Sequence, residues 1–439
     1  GAGARHQPGL EASANALAAG SSPLANGLHC SCPVVTLSPN ALRVLEARYL
    51  RRDSARKVIE TPEELFRRVA RAVAQAELAL GSAWEADQWE EVFHGLLTSL
   101  DFLPNSPALM NAGTPLGQLS ACFVLPVEDT MESIFGALSA MALLQRAGGG
   151  TGFSFSRLRP RGDVVASTGG EASGPVSFMR IFDCATRNIK QGGRRRGANM
   201  GVLRVDHPDI LEFVDAKLSG QSLQNFNLSV AVTDRFMEAV TAGESYDLIH
   251  PRHRRPVNRL RAREVFDRIV DAAWRTGDPG LLYLEAINRA NPTPALGEIE
   301  TTNPCGEVPL LPWESCVLGS INLAHMVRAA GGEADVDWER LRHAVHAGVR
   351  FLDDVIEVNR DPLPEIARAT RGNRKIGLGV MGFAESLILL GVPYDAPAAI
   401  AWADRVMAFI RAEARAMSRQ LAELRGTFPN WTRSVHASA

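Results

Sequence analysis

From Phe102 onward the chain alternates short β-branched or apolar runs with Gly-rich loops and helices, and this alternation narrows the fold more than any other feature. Candidate strands lie at 122–127, 200–205, 228–232, 246–249 and 376–381, with capped helices between them. One such helix opens at Asp129 with Glu132 three residues later, and then places Ile134, Leu138, Met141 and Leu144 on one face. Strands alternating with helices imply a largely parallel sheet. A chain of 439 residues suits a barrel at least as well as an open sheet. No internal repeat of fixed period is visible.

The section before Phe102 reads as helical. Thr61-Pro62-Glu63-Glu64 supplies a cap, a proline at the first helical position and a glutamate at the third. Leu65, Phe66, Val69, Val73, Ala76 and Leu80 then fall on one face, and Trp89, Val92, Phe93, Leu96 and Leu97 form a second stripe. With Leu42, Val44, Leu45 and Leu50 they predict a small helical domain over residues 38–103. Residues 1–37 are rich in Gly, Ala, Ser and Pro without periodicity and read as a disordered arm. The Cys30-Ser31-Cys32 pair inside it has no second pair at a metal-ligand spacing, so no metal site is expected.

Composition excludes several classes. The 47 basic and 49 acidic residues give a net charge of −2, and nothing in that total argues for a general polyanion binder; no DNA or membrane partner is expected. Six cysteines are too sparse for a secreted disulfide framework, and a reducing cytoplasm is expected. No uncharged apolar run is long enough to span a bilayer.

The chemistry concentrates at Asn303-Pro304-Cys305-Gly306-Glu307, followed by Cys316. An amide, a thiol and a carboxylate at alternating positions share one side if the segment is extended, while Pro304 and Gly306 shape a tight, non-helical loop. A carboxylate and an amide beside a thiol make plain apolar burial costly, which favours a functional constellation over a structural cysteine.

Three further loops stand out. Asn105-Ser106-Pro107 and Asn111-Ala112-Gly113 offer small polar groups suited to a ligand or to turns. The run 147–152, with four glycines in five positions, exceeds what a helix C-cap requires; bare backbone there allows close approach of a ligand, although no Walker lysine follows. The basic loop Lys190-Gln191-Gly192-Gly193-Arg194-Arg195-Arg196 has flanking glycines and no stacking aromatic, which fits guanidinium forks offered to a few phosphates better than a nucleic-acid track.

Together these pieces resemble the large catalytic subunit of ribonucleotide reductase, most closely its class II, adenosylcobalamin-dependent branch. The matching segments are PNSPALMNAG (104–113), SACFVLPVEDTMESIF (120–135), RAGGGTGFSFSRLRP (146–160), ASGPVSFMRIFD (172–183), KQGGRRRGANMG (190–201), HPDILEFVDAK (207–217), NFNLSVAV (225–232), TNPCGEVPL (302–310), CVLGSINL (316–323) and GLGVMGFAESL (377–387). The class II choice rests on Gly306 within the Cys305 motif and on the wording of these segments.

The resemblance implies an α/β fold: a ten-stranded α/β barrel over residues 104–439, incomplete here, with an N-terminal helical domain and a finger loop that carries Cys305. It implies that Cys305 becomes a thiyl radical that removes the 3′ hydrogen of a ribonucleotide, with Glu307 as general base and Asn303 as a clamp on the sugar hydroxyls. Cys122 and Cys316 match the pair that supplies two electrons and ends as a disulfide. Ser106, Ala121, Cys122, Gly148, Gly149 and the run Asn303, Pro304, Cys305, Gly306 and Glu307 correspond to substrate-contacting positions. The loop from Lys190 to Arg196 resembles one that relays the identity of a bound dNTP or ATP effector, with 160–174 as its partner loop. A homodimer and a thioredoxin- or glutaredoxin-type reductant follow from the same likeness. Cys184 matches no catalytic position and is expected to be a buried structural thiol.

Departures from the family pattern are expected to matter. The chain stops before the Pro-Thr-Gly phosphate loop, the closing strands and the C-terminal cysteine pair, as a fragment or one half of a split enzyme with a complementary C-terminal chain would. No ATP-cone residues are present. The alternatives are a class I subunit served by a di-metal radical partner, and a non-catalytic effector-binding half. Keeping Cys122, Cys305, Glu307 and Cys316 together argues against the latter, because binding alone needs no redox thiols.

Overall fold

The computed structural model describes residues 35–81, 85–165, 169–191, 195–330 and 333–438. The expected N-terminal arm, with Cys30 and Cys32, lies outside them up to residue 34. The first helices are α1 (Pro39–Arg48), α2 (Pro62–Ala74), α3 (Ala76–Leu80) and α4 (Ala86–Thr98). Thr61 and Glu64 form the reciprocal capping box that their spacing predicts, which satisfies two N–H groups at the start of α2. Leu65, Phe66, Val69 and Val73 are buried against Trp89, Phe93, Leu96 and Leu97 of α4. Each such side chain contributes roughly 1.5–3 kcal/mol by leaving water.

The first stripe departs from the expectation. Leu42 and Val44 are exposed and α1 buries none of its residues, so the core takes Val35 and Leu50 on either side of this helix. Leu80 is only half-buried, because Gln75 ends α2 and α3 lasts a single turn and a half.

Eight strands form one sheet: β1 (Phe102–Pro104), β2 (Cys122–Val124), β3 (Gly150–Ser154), β4 (Asn199–Arg204), β5 (Phe226–Val232), β6 (Gly280–Tyr283), β7 (Ser315–Asn322) and β8 (Ile376–Met381). The spatial order is β1-β7-β2-β3-β4-β5-β6, and β8 pairs with β7. Strands β2 to β6 are parallel to one another, and β8 is parallel to β7. The two parallel sets meet where β7 runs antiparallel to β2. This is the expected α/β architecture, a sheet of eight strands among the described residues.

Strands β3 and β4 are buried on both faces except at Arg204, as parallel strands under helices must be. Helices α5 (Met131–Arg146) and α6 (Pro175–Asn188) cover the outer face, where Phe153, Phe155 and Phe182 pack edge-on or tilted with ring centroids 5.1 to 5.8 Å apart. The other side of the molecule packs β7 against α7 (Trp338–Val358), with α8 (Pro397–Arg425) laid over α7.

Four expectations are corrected. The segment 246–249 is a strand, but it pairs only with Pro256–Arg261 as a separate hairpin, because its alternating burial leaves one face to solvent. The cap of α5 is Thr130, whose side chain accepts from Ser133 N, while Asp129 is taken by Arg159. Cys184 is exposed, since α6 turns Val176, Met179, Phe182 and Thr186 to the core and Cys184 away from them. The Gly-rich run becomes strand from Gly150 onward, not loop.

Candidate active site

The segment 303–306 is a β-turn, closed by Gly306 N donating to Asn303 O at 3.1 Å. Asn at the first position, Pro at the second and Gly at the fourth are the type I turn preferences, and Gly306 adopts φ 83°, which a Cβ would disfavour. The turn is carried by a two-rung antiparallel ladder, Thr301–Thr302 with Pro309–Leu310. The segment is therefore not extended. Folding back brings Asn303 and Glu307 together and sends Cys305 to the exposed tip.

The glycines of β3 make room for this turn. A Cβ at Gly150 would lie 2.9 Å from Pro304 Cγ, and one at Gly152 would run into the Thr302 carbonyl. The close approach read from the Gly-rich run is thus made by the chain's own turn. Asn227 on β5 donates from Nδ2 to Pro304 O at 2.6 Å and holds the turn from the other side. Sequence reasoning did not single out Asn227; an exposed polar residue at the start of an otherwise buried strand was the available signal.

Asn303 is 1 % exposed and all its polar capacity is engaged. Its Oδ1 accepts from Val308 N (3.0 Å) and Thr302 Oγ1 (3.1 Å). Its Nδ2 donates to Glu307 Oε2 (2.5 Å) and Cys122 Sγ (3.2 Å). The Cys122 thiol in turn lies 3.9 Å from Glu307 Oε1. Amide, carboxylate and thiol, 181 and 185 residues apart for the two pairs that involve Cys122, form one cluster.

Cys316 sits directly opposite Cys122 in the β2–β7 ladder. Residues so paired have Cα atoms about 4.5–5.5 Å apart, inside the range of about 4.4–6.8 Å that a disulfide accepts. Both are thiols here, 6 % and 1 % exposed. Burial pushes the Cys316 thiol well above the ordinary range, and the negative charge it would share with Cys122 and Glu307 adds to the effect. The one opposing influence is Lys375, which is paired at 2.6 Å with the buried Glu314.

The remaining expected positions divide. Ala121 joins the site: its N–H reaches Cys316 O at 3.3 Å and its carbonyl accepts from Gly150 N at 2.8 Å. Ser106 shares a hydrogen bond of 2.8 Å with the Tyr49 hydroxyl of the helical domain. Gly148 and Gly149 are buried at the end of α5, and Gly149 abuts Phe123, which packs in the outer core. Asn105 and Asn111 hold local structure, the first as a helix cap and the second on Gln118 O and Ala147 O. Of the basic loop, Lys190–Gln191 pairs with Arg195–Arg196 as a backbone hairpin; Gly192, Gly193 and Arg194 lie outside the described residues. Among the described residues no group of three or more His, Cys, Asp or Glu could hold a metal ion, and no helix is long and apolar enough to cross a membrane.

A parallel-stranded α/β sheet that carries this turn, preceded in the chain by a helical domain, agrees with two family matches. Residues 120–439 match the ribonucleotide reductase barrel domain and residues 35–117 match the ribonucleotide reductase all-alpha domain, so the chain belongs to the ribonucleotide reductase family. It is 55 % identical over 402 residues to a vitamin B12-dependent ribonucleoside-diphosphate reductase of Mycobacterium tuberculosis, covering 91 % of this chain and 57 % of that one. A protein of the same name from Thermoplasma acidophilum is 48 % identical over 450 residues, covering 90 % and 58 %. The vitamin B12-dependent ribonucleotide reductase of Streptomyces clavuligerus is 32 % identical over 429 residues, covering 91 % and 44 %. The chain therefore spans between 44 % and 58 % of the length of these relatives.

Proposed function

We propose that this chain carries the radical and redox half-site of an adenosylcobalamin-dependent ribonucleotide reductase that converts ribonucleoside diphosphates to 2′-deoxyribonucleotides. The observation that carries the reading is the Cys122–Cys316 pairing beside the Asn303–Glu307–Cys122 cluster. The names of the relatives support the diphosphate substrate and the cofactor.

The exposed Cys305 tip fits a radical source that approaches from outside the turn, and Cys305 is the residue that would face it. Adenosylcobalamin, when bound, supplies the one-electron oxidant for this thiol. The Cys305 sulfur radical then takes the hydrogen from C3′ of the ribose. Glu307 accepts the proton of the 3′ hydroxyl, while Asn303 hydrogen-bonds the sugar hydroxyls. The 2′ hydroxyl leaves as water with a proton from the Cys122–Cys316 pair. That pair gives two electrons and closes to a disulfide, and Cys305 returns its hydrogen to C3′. Asn303, Glu307 and Cys122 satisfy one another, so sugar hydroxyls must replace those contacts on binding.

The basic hairpin 190–196 and the loop 160–174 are read as the dNTP or ATP effector site, in a homodimer served by a thioredoxin- or glutaredoxin-type reductant in the cytoplasm. Deoxynucleotide formation is the test: ribonucleoside diphosphate, adenosylcobalamin and dithiothreitol are supplied to this chain, with and without a C-terminal segment of a relative in trans. Cobalamin-dependent product supports the proposal. Product formed without cobalamin, on adding a di-metal partner, overturns the choice of cofactor. Cys305→Ala is expected to abolish turnover with effector binding intact, and Cys316→Ser to allow at most one abortive turnover. Multiple turnovers in Cys316→Ser sink the redox pairing.

A further inference from the structure

Outside the cluster around Cys305, a second group of buried polar side chains lies on the opposite face of β3. Gln145, in the last turn of α5, is 2 % exposed, and Thr151, Thr186 and Asn199 are buried with it. Gln145 Nε2 donates to Asn199 Oδ1 at 2.8 Å and to Thr151 Oγ1 at 3.3 Å. Thr151 Oγ1 donates to Asn199 Oδ1 at 2.7 Å, and Asn199 Nδ2 to Thr186 Oγ1 at 2.9 Å. The one open position is Gln145 Oε1, buried and without a hydrogen-bond partner among the described residues. It faces Gly197 at the root of the basic loop, where a Cβ would lie 2.5 Å from Oε1 and 3.0 Å from Thr186 Cγ2.

β3 ties this group to the turn. Thr151 N donates to Ala198 O at 3.1 Å. Successive residues of a strand point to opposite faces, so Thr151 enters the polar group while Gly150 and Gly152 lie under Pro304 and Thr302. Three consecutive residues thus touch the loop root on one side and the Cys305 turn on the other.

We infer that Gln145 is a positioning residue that transmits the state of the basic loop to the Cys305 turn, through Thr151 and Asn199. The inference rests on the proposed effector role of that loop. A loop state that brings a backbone N–H to Gln145 Oε1 completes the network; a state that withdraws it leaves a buried acceptor empty. The network therefore favours one loop state over the other and passes the difference to β3. An element with two arrangements that both sites bias is what coupling requires.

The test uses the full-length enzyme with adenosylcobalamin, and competes a purine against a pyrimidine ribonucleoside diphosphate with and without each deoxynucleoside triphosphate. Wild type, Gln145→Met, Gly197→Ala and the double variant are compared, and effector binding is measured with and without substrate. In Gln145→Met the effector-driven change in base preference is expected to fall at least about fivefold, while effector-free turnover changes less than about threefold. The tightening of effector by substrate should fall by the same factor, a reciprocity that a merely structural residue would not show. Gly197→Ala should lose coupling too, and the double variant should lose no more than the worse single one. A full preference switch in Gln145→Met, or additive losses in the double variant, overturns the assignment. Should Gln145→Met fail to fold, Gly197→Ala decides alone, and a retained switch there overturns it. A wild type without any effector-driven switch would instead remove the reading of the loop, and this inference with it.

Discussion

Two buried clusters of charge and polarity differ in how completely they are closed. Between the helical domain and the α7–α8 layer, Glu77 is held by Arg350 at 2.6 and 2.8 Å and by Arg425 at 2.6 Å, and Arg425 also lies 2.8 Å from Asp354. Trp89 stacks under Arg350 at 3.9 Å. Burial would raise the Glu77 carboxyl, but Arg350, a proton on Asp354 and the charge of Arg425 hold it down at about 2. Burial keeps Asp354 well above the carboxylate range. With Asp354 neutral, Arg350, Arg374 and Arg425 face Glu77, Asp353 and Glu357, three charges of each sign. At the Cys305 turn the buried Asn303 and Cys122 meet a Glu307 that is exposed, beside an exposed thiol. The closed cluster joins helices of two layers, whereas the open one leaves a side exposed, as the proposed substrate site requires.

The sharpest way to break this contrast is Arg425→Met. Removing the guanidinium takes one of two arginine partners from both Glu77 and Asp353 and the contact from Asp354, so unfolding in urea should lose about 3–5 kcal/mol, with the activity of the surviving folded fraction unchanged. Gly152→Ala attacks the open cluster from beneath. Its methyl meets backbone, which cannot swing aside, so about 1–3 kcal/mol and most of the turnover should be lost together. Asn227→Ala removes one side-chain bond to Pro304 O, costs about 1 kcal/mol in thermal unfolding, and should lower kcat more than it changes KM. Equal loss of stability without loss of kcat would show that Asn227 merely packs. The mildest probe is timed alkylation with iodoacetamide read by mass spectrometry. Cys184 and Cys305 should label first and Cys316 last. Because the folded Cys316 pKa is raised, its thiolate is scarce at neutral pH, and its labelling should catch up only as pH climbs beyond that of an ordinary thiol.

What the sequence revealed follows from how local each signal is. The Thr61–Glu64 capping box spans four residues and is legible without any tertiary context. The same holds for the Asn303-Pro304-Cys305-Gly306 turn, although its residues were weighed as an extended segment. β3 was hidden because glycine carries no strand propensity; its glycines answer to Pro304 and Thr302, some 150 residues away. β6 and β7 were missed because three or four apolar residues among glycines and serines do not display a period. The Cys122–Cys316 pairing came from family likeness, since no spacing rule joins residues that only a sheet brings together. Glu77 was invisible as a charge because it lies inside an apolar stripe whose partners come from α7 and α8.

Under the proposed redox role, the facing of Cys122 and Cys316 across one ladder also sets how electrons can arrive. A pleated ladder already holds their backbones at bonding distance, so closing and opening the bond asks only for side-chain rotation. Neither strand can swing out to meet a donor, because each is clamped on both edges, β2 by β3 and β7, and β7 by β2 and β8. Delivery must therefore be made by something slender enough to enter: the traffic is all on the side of the visitor, and the thiols stay at home.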